Sequence, residues 1–167
     1  QLKFPLAINL SAVQLLDNML LLNIADALKP TKIKASQIEL ELTETAIMMG
    51  PANPEKLLQS LVKKGFKIVI DDFGTGYSSL SRLKQLPVST LKIDISFVKD
   101  IGHNHSNKII QSIIALAKAI ELDVVAEGIE NERQLKFLID NDCNEGQGFY
   151  LSKPLTIDKM DELLQKQ

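Results

Sequence analysis

Two kinds of pattern alternate along the chain. Short apolar runs rich in β-branched residues predict buried strands at residues 6–10, 38–42, 66–70, 90–93 and 124–126, with a weaker sixth run at 148–151. Stretches with apolar side chains at helical spacing predict helices at 13–28, 54–64, 78–84, 106–120, 131–140 and 156–165, with Ser106 as the N-cap of the fourth. This alternation predicts an α/β fold in which helices cover a parallel sheet, in one domain spanning residues 1–167.

Polar residues at the strand ends distinguish between two architectures that both fit the alternation, an open doubly wound sheet and a closed (β/α)8 barrel. Five successive strands end in residues able to bind a metal or an anion, namely Asn9, Glu41, Asp71 with Asp72, Lys92 with Asp94, and Glu127. In a barrel all these ends meet at one mouth, whereas an open sheet would spread them along a line, so the pattern favours the barrel.

The length of the chain is short for a complete barrel, which takes roughly 200–250 residues or more. The 167 residues supply about six strand–helix units, and the chain starts with Gln1 rather than Met. We therefore expect an incomplete TIM-like barrel whose first two units are missing, in a piece of a longer protein.

Composition and charge exclude several classes of partner. The chain is 45% hydrophobic and 24% charged, with a net charge of −2, which argues against a binder of nucleic acid polymers or membrane surfaces that relies on bulk charge. The one cysteine, Cys143, cannot form a disulfide within the chain, and we expect it to be a small core residue. Since the chain has no disulfide framework, no signal peptide and no apolar run long enough to span a bilayer, we expect a cytoplasmic segment without direct membrane contact, in a soluble protein or as the cytoplasmic part of a membrane-bound one.

The acidic residues at the predicted mouth indicate a divalent metal site. Several carboxylates held close together cannot all stay ionised unless a positive charge joins them. Carboxylate and amide oxygens suit Mg²⁺ or Mn²⁺ better than Zn²⁺, and both histidines lie in a polar loop at 103–105.

The pair Asp71-Asp72 is the centre of this predicted site. If the chain turns at the strand end, both side chains reach the mouth and one can bridge two metals roughly 3.5–4 Å apart, which is the usual arrangement for phosphodiester hydrolysis. Lys92 would then orient the attacking water or stabilise the phosphate. The glycine-rich loop at 73–80 would form a mobile lid or a phosphate-facing turn.

Each of these features also has an ordinary structural interpretation. An Asp-Asp pair often forms only a turn and a helix cap, Glu41 and Glu44 could lie on a solvated edge, and Lys92 could extend from a strand into solvent. The recurrence of polar residues at the same end of five strands favours a functional site.

The chain carries a series of short motifs, which in order are NLS at 9–11, ELTE at 41–44, DDFGTGYSSL at 71–80, LKID at 91–94, AEGIE at 126–130, GQGF at 146–149 and SKP at 152–154. Together they resemble the motifs of the EAL domain, the cyclic di-GMP phosphodiesterase module of bacterial signalling proteins. The resemblance covers the whole chain, and the ten residues from Asp71 to Leu80 are its most specific part.

The resemblance implies a role for each matching residue. The implied metal ligands, for two Mg²⁺ or Mn²⁺ ions, are Asn9, Glu41, Asp71 and Asp72. Lys92 would hold the catalytic water, and Glu127 would be a general base or a ligand of the second metal. Gln147 and Glu130 would contact the substrate. Glu44 would support the loop at 72–80, which contains Thr75 and Gly76 and helps to couple metal binding to dimerisation.

The implied reaction is hydrolysis of one phosphodiester bond of cyclic di-GMP to give linear pGpG. The implied partners are cyclic di-GMP, a second copy in a homodimer, and an upstream sensor or diguanylate-cyclase-like domain. An alternative is a non-catalytic receptor that binds cyclic di-GMP, although such relatives usually lose metal ligands. An unrelated magnesium-dependent barrel enzyme is a third interpretation.

The chain departs from the family pattern chiefly in lacking the Glu-Ala-Leu motif, which precedes Asn9 in the family and supplies a further metal ligand. Ile95 stands where Arg or Gln is common, and Ile129 replaces a usual Val. We expect the isolated chain to have weak or no activity. Because a barrel lacking two strands has bare edges, we also expect the chain not to remain monomeric.

Overall fold

The computed structural model describes residues 4–49, 54–76 and 80–165. Six strands form one parallel sheet, and each pairs with the next along the chain. They are β1 (Leu6–Asn9), β2 (Ile38–Thr43), β3 (Lys67–Phe73), β4 (Thr90–Ile93), β5 (Asp123–Ala126) and β6 (Glu145–Gly146). This confirms the predicted fold, an incomplete (β/α)8 barrel, and within the described residues β1 and β6 each pair on one side only.

Helices connect the strands. They are α1 (Ala12–Leu15), α2 (Leu20–Leu28), α3 (Glu44–Met49), α4 (Pro54–Lys63), α5 (Leu80–Leu83), α6 (Ile95–Lys99), α7 (Asn104–Ala119), α8 (Glu132–Asp140) and α9 (Ile157–Gln165), with a short 3-10 helix at Ala35–Gln37. Helix α8 begins after Asn131, whose side chain accepts a hydrogen bond from the Gln134 amide at 3.1 Å. Part of the helix predicted at 78–84 lies outside the described residues.

Two helix predictions were wrong in detail. The segment 13–28 forms two helices rather than one, because Asp17 accepts a hydrogen bond from the Met19 amide at 2.8 Å and starts a new turn between them. Helix α7 begins at Asn104, with His103 rather than Ser106 at the N-cap position. The amide of Asn107 already donates to the carbonyl of His103, so Ser106 lies within the first turn and is buried.

The sixth strand was also predicted at the wrong place. The strand is Glu145–Gly146, paired with Val125 and Ala126 of β5, and residues 148–151 form a turn instead. Packing against a distant segment accounts for this difference. The backbone of Gly148 lies so close to that of Ile129 that a Cβ on Gly148 would be 2.2 Å from Ile129 backbone atoms. The apolar side chain of Phe149, which suggested a buried strand, is 62% exposed.

The core lies between the sheet and its helices. Alternate strand residues point toward the helices and are fully buried, among them Leu40, Leu42, Ile68, Ile70, Leu91 and Ile93. Their neighbours point to the opposite face, which is where the polar residues collect. Cys143 is half-buried at the margin of this core, and its thiol donates to the carbonyls of Val124 at 3.6 Å and Glu145 at 3.3 Å.

The length and polarity of the helices bear on whether they could cross a membrane. In the part of the chain that the structure describes, no helix is both long enough and apolar enough to cross a membrane.

Two neighbouring residues of α4 differ in burial, and this difference allows a test of the core. Leu61 is fully buried and its neighbour Val62 is 39% exposed. We expect Leu61→Ala to lower the free energy of unfolding by about 2–5 kcal/mol, because it leaves a cavity between α4 and the sheet. Val62→Ala, the control, should cost less than about 1 kcal/mol. Urea denaturation of both variants measures the difference, and equal losses would contradict this assignment of the core.

Candidate metal and phosphodiester site

A β-bulge in β3 brings the two carboxylates of Asp71 and Asp72 to the same side. Between Ile70, which lies opposite Leu91, and Phe73, which lies opposite Ile93, β3 carries one residue more than β4. Asp72 adopts a left-handed backbone with φ of 53°, and its amide donates to the Asp71 carboxylate at 3.0 Å. Neighbours in a regular strand would face opposite sides, so the bulge is what allows both to reach the mouth.

Glu127, directly after β5, joins this pair. One carboxylate oxygen from each of Asp71, Asp72 and Glu127 lies within 4.8 Å of the others, the one such group of possible metal ligands among the described residues. The amide of Glu127 donates to the carbonyl of Ile93 at 3.2 Å, which places it beside the end of β4. Three hard oxygen donors at this spacing could hold a metal ion.

Lys92 on the central strand β4 connects the acidic residues. Its Nζ lies 2.8 Å from Glu41 Oε1, 2.7 Å from Glu127 Oε1 and 3.3 Å from Asp71 Oδ1. Lys92 is 6% exposed. Burial alone would lower the pKa of its ammonium, but the hydrogen bonds to Glu127 and Glu41 and the charges of Glu127 and Asp71 outweigh burial and raise that pKa.

The carboxylates differ in how tightly they hold protons. Burial raises the pKa of Glu127 above its ordinary value, despite the opposing effect of Lys92. Burial and the charge of Asp71 also raise the pKa of Asp72, which shares a hydrogen bond with Asp94. The pKa of Asp94 is lowered, because hydrogen bonds from Ser96, together with the one from Asp72, outweigh burial. A cation bound in the cluster would reduce the repulsion between the carboxylates of Asp71 and Asp72.

Two predicted ligands lie toward the edge of the sheet. Glu41 of β2 is 9% exposed and reaches the cluster through Lys92. Asn9 lies opposite Glu41 in the register of β1 with β2, on the exposed edge strand. The structure therefore places Asn9 at the mouth, one strand away from Glu41.

The loop after β3 is fixed to Glu44. This carboxylate is 2% exposed, and its Oε2 accepts hydrogen bonds from the amides of Gly74 at 3.2 Å and Gly76 at 3.3 Å. A Cβ on Gly76 would lie 2.8 Å from Glu44 Oε1, so the close approach requires glycine. Thr75 Oγ1 donates to the Asp72 carbonyl at 2.8 Å. The rest of the predicted loop, residues 77–79, lies outside the described residues.

A pocket of about 580 Å³ opens beside the cluster. Glu127 belongs to the cluster and also lines the pocket. The two predicted substrate-binding residues, Glu130 and Gln147, also line this pocket, so the structure brings them together with Glu127. Backbone hydrogen bonds fix their positions: the Gln147 amide donates to Ala126 at 2.8 Å, and the Glu130 amide donates to Gln134 Oε1 at 2.7 Å.

Sequence reasoning gave no role to several residues of the site. Asp94 was noted as a strand-end residue, but its hydrogen bond with Asp72 was not foreseen, although its position two residues after Lys92 puts it on the same strand face. The apolar wall of the pocket was missed entirely. It consists of Ile95, Phe149, Leu155, Met160 and Leu163. Ile95 could have been recognised from the sequence, because it stands where the family usually has Arg or Gln.

Comparison with known proteins places this geometry in a family. The model of the EAL domain family matches residues 1–154, so the chain belongs to the EAL domain family. The cyclic di-GMP phosphodiesterase NbdA of Pseudomonas aeruginosa is 41% identical over 163 residues, which cover 97% of this chain and 21% of NbdA. The signaling protein YkoW of Bacillus subtilis is 40% identical over 162 residues, covering 96% of this chain and 20% of YkoW.

Solved structures give the same result. The EAL domain of Mycobacterium smegmatis DcpA superposes with a TM-score of 0.92 at 42% identity, covering 97% of this chain and 73% of that one. The PaMucR phosphodiesterase in complex with c-di-GMP superposes with a TM-score of 0.89 at 39% identity, covering 93% of this chain and 64% of that one. The chain spans about a fifth of the length of the curated relatives it matches.

The raised pKa of Glu127 predicts how stability changes with pH in the absence of metal. The folded protein holds this proton more tightly than the unfolded chain, whose pKa is near the ordinary value of 4.5. Raising the pH from 4.5 through the folded pKa should therefore lower the free energy of unfolding. In Glu127→Gln this decline should be shallower. Urea denaturation in EDTA between pH 4 and pH 8 measures both slopes, and a steeper decline in the variant would contradict the assignment.

Proposed function

We propose that this chain forms part of a metal-dependent phosphodiesterase that hydrolyses cyclic di-GMP to linear pGpG. The observation that carries the proposal is the cluster of Asp71, Asp72 and Glu127 around one point, with Lys92 bound to two of these carboxylates and to Glu41. Membership of the EAL family and the named activity of NbdA support the choice of substrate.

In this proposal Asn9, Glu41, Asp71 and Asp72 hold two Mg²⁺ or Mn²⁺ ions, and Glu127 is either a further ligand of the second ion or the general base. When bound, such ions lower the pKa of a coordinated water and neutralise the charge that develops on the phosphate. The carboxylates of this chain would fix the positions of the two ions. Because Lys92 is buried, solvent weakens its ion pairs with these carboxylates less than it would at the surface.

Lys92 and Glu127 are the residues we propose to act on the attacking water. Lys92 Nζ would donate a hydrogen bond to the oxygen of that water in place of one of its three carboxylate partners. The pKa of Glu127 is raised by burial, which makes its carboxylate a better proton acceptor near neutral pH than an exposed glutamate. The proton of the water would pass to a carboxylate oxygen of Glu127, and the departing ribose oxygen would take up a proton from solvent.

The pocket beside Glu127 suits the rest of the substrate. Its apolar wall, including Ile95 and Phe149, offers surfaces against which a purine can lie, and Glu130 and Gln147 offer hydrogen-bonding groups. Lys153 also lines the pocket and supplies a positive charge for a phosphate. A volume of about 580 Å³ accommodates one nucleotide half of a cyclic dinucleotide.

We further propose that the protein acts as a homodimer and is attached to an upstream sensor or cyclase-like domain. Exposed apolar side chains near the edge strand β1 support association through this edge, with a second copy or with further barrel strands: Phe4 is 47% exposed, Leu6 39% and Ile8 45%. The short share of each relative that this chain matches supports attachment to further domains. In this scheme Glu44 supports the loop that links metal binding to dimerisation.

Hydrolysis by the full-length protein tests the proposed reaction. We expect conversion of cyclic di-GMP to pGpG in Mg²⁺ or Mn²⁺, and no conversion in EDTA. Asp71→Asn should lower kcat by at least about 10²-fold, because it removes a carboxylate from the metal site. Asp140→Asn on the exposed surface of α8 is the control and should retain activity. Equal activity of wild type and Asp71→Asn would show that the two-metal mechanism is wrong.

Association is tested by sedimentation velocity over a range of protein concentrations. We expect this chain to sediment as a dimer or larger species, and Ile8→Lys to weaken association because a charge at the β1 edge cannot be buried cheaply. Val62→Lys, on an exposed part of α4, serves as the control and should leave the sedimentation unchanged. A monodisperse monomer at all concentrations with a cooperative melt would contradict the dimer.

A further inference from the structure

Lys92 forms ion pairs with the same carboxylates that are proposed to bind the metal. Asp71 and Glu127 belong to the group of possible metal ligands, and both are ion-paired with Lys92 Nζ, at 3.3 Å and 2.7 Å. Glu41, a third proposed ligand, is paired with the same nitrogen at 2.8 Å. One ammonium thus contacts acidic residues carried by β2, β3 and the end of β5.

Lys92 is the cation that these acidic residues share. Among the described residues, the ion pairs of Glu41, Asp71 and Glu127 are all made with Lys92 Nζ. Lys92 is 6% exposed, so solvent screens these interactions poorly. Its ammonium is the main charge that opposes the repulsion between the acidic residues.

We infer that Lys92 is an internal counter-ion, which holds the carboxylates together in the metal-free protein and competes with the metal for them. The first half of this inference depends only on the ion pairs. The second half rests on the proposed function, since it requires that the cluster binds a divalent cation. Lys92 thereby keeps the site assembled before metal arrives, at the cost of a weaker metal affinity.

The two halves predict opposite effects of one substitution. Removing the ammonium leaves the buried Glu41 and the partly buried Asp71 and Glu127 without their ion pairs, which destabilises the metal-free protein. The same change makes the cluster more negative and frees oxygens from their ion pairs, which strengthens the binding of a divalent cation. A lysine that served only to fill space would produce neither effect, because methionine keeps most of its volume.

The test compares Lys92→Met, Lys92→Arg and the wild type in the full-length protein. The control is Lys67→Met, which removes an exposed lysine paired with Glu39 at 3.3 Å. The melting midpoint in EDTA and the dissociation constant for Mn²⁺ by titration calorimetry are measured for each. Neither readout requires activity.

In EDTA we expect Lys92→Met to melt roughly 10 °C lower than the wild type. It should bind Mn²⁺ at least about tenfold more tightly. Lys92→Arg should keep most of the metal-free stability because it keeps the charge, and Lys67→Met should change neither quantity.

The outcomes separate the two proposals. If the wild type binds Mn²⁺ and Lys92→Met binds it no more tightly, the counter-ion inference is wrong and the metal site stands. A Lys92→Met protein that melts like the wild type in EDTA also overturns the inference. If neither protein binds Mn²⁺, the proposed metal site and the competition both fail.

A second variant covers the case in which Lys92→Met does not fold without metal. Glu41→Gln combined with Lys92→Met removes one of the charges left without a partner, so the double variant should fold and melt higher than the single one. Failure of the double variant to recover any stability would overturn the inference.

Discussion

The contacts of the Lys92 ammonium with three carboxylates are the interaction on which the rest of this site depends. Lys92 lies on the central strand β4, and its partners come from β2, β3 and the residue after β5. Acidic side chains gathered at one end of a sheet repel each other, and without a shared positive charge the strand ends would separate or take up protons. The ammonium allows these acidic residues to stay close together at one end of the sheet.

Local backbone features give this electrostatic arrangement its geometry. The bulge at Asp71-Asp72 turns two neighbouring carboxylates to one side of β3. Glu44 then fixes the following loop through the amides of Gly74 and Gly76. On the other side of the site, Gln134 accepts hydrogen bonds from the amides of Glu130 and Asn131 and so fixes the turn after Glu127. Hydrogen bonds within and between these segments thus fix the backbone around the acidic residues.

Much of this could be predicted from the sequence, for identifiable reasons. Continuous apolar runs rich in β-branched residues located β1 to β5, because this signal comes from local residues. Packing between distant segments decided what could not be predicted. The place of β6 depends on Gly148 lying against Ile129, and the left-handed backbone of Asp72 depends on pairing with β4. The pairing of Asp72 with Asp94 likewise requires two strands to be in register, which a single segment does not reveal.

The central claim is that the carboxylates of Asp71, Asp72 and Glu127 form a divalent metal site. Anomalous X-ray diffraction from crystals grown with Mn²⁺ tests it most directly. The account predicts an anomalous peak within coordination distance of Asp71 and Asp72, and a second peak beside Glu127 if two ions bind. A structure at saturating Mn²⁺ with no peak at these carboxylates, and with Lys92 still bound to all three of its partners, would contradict it.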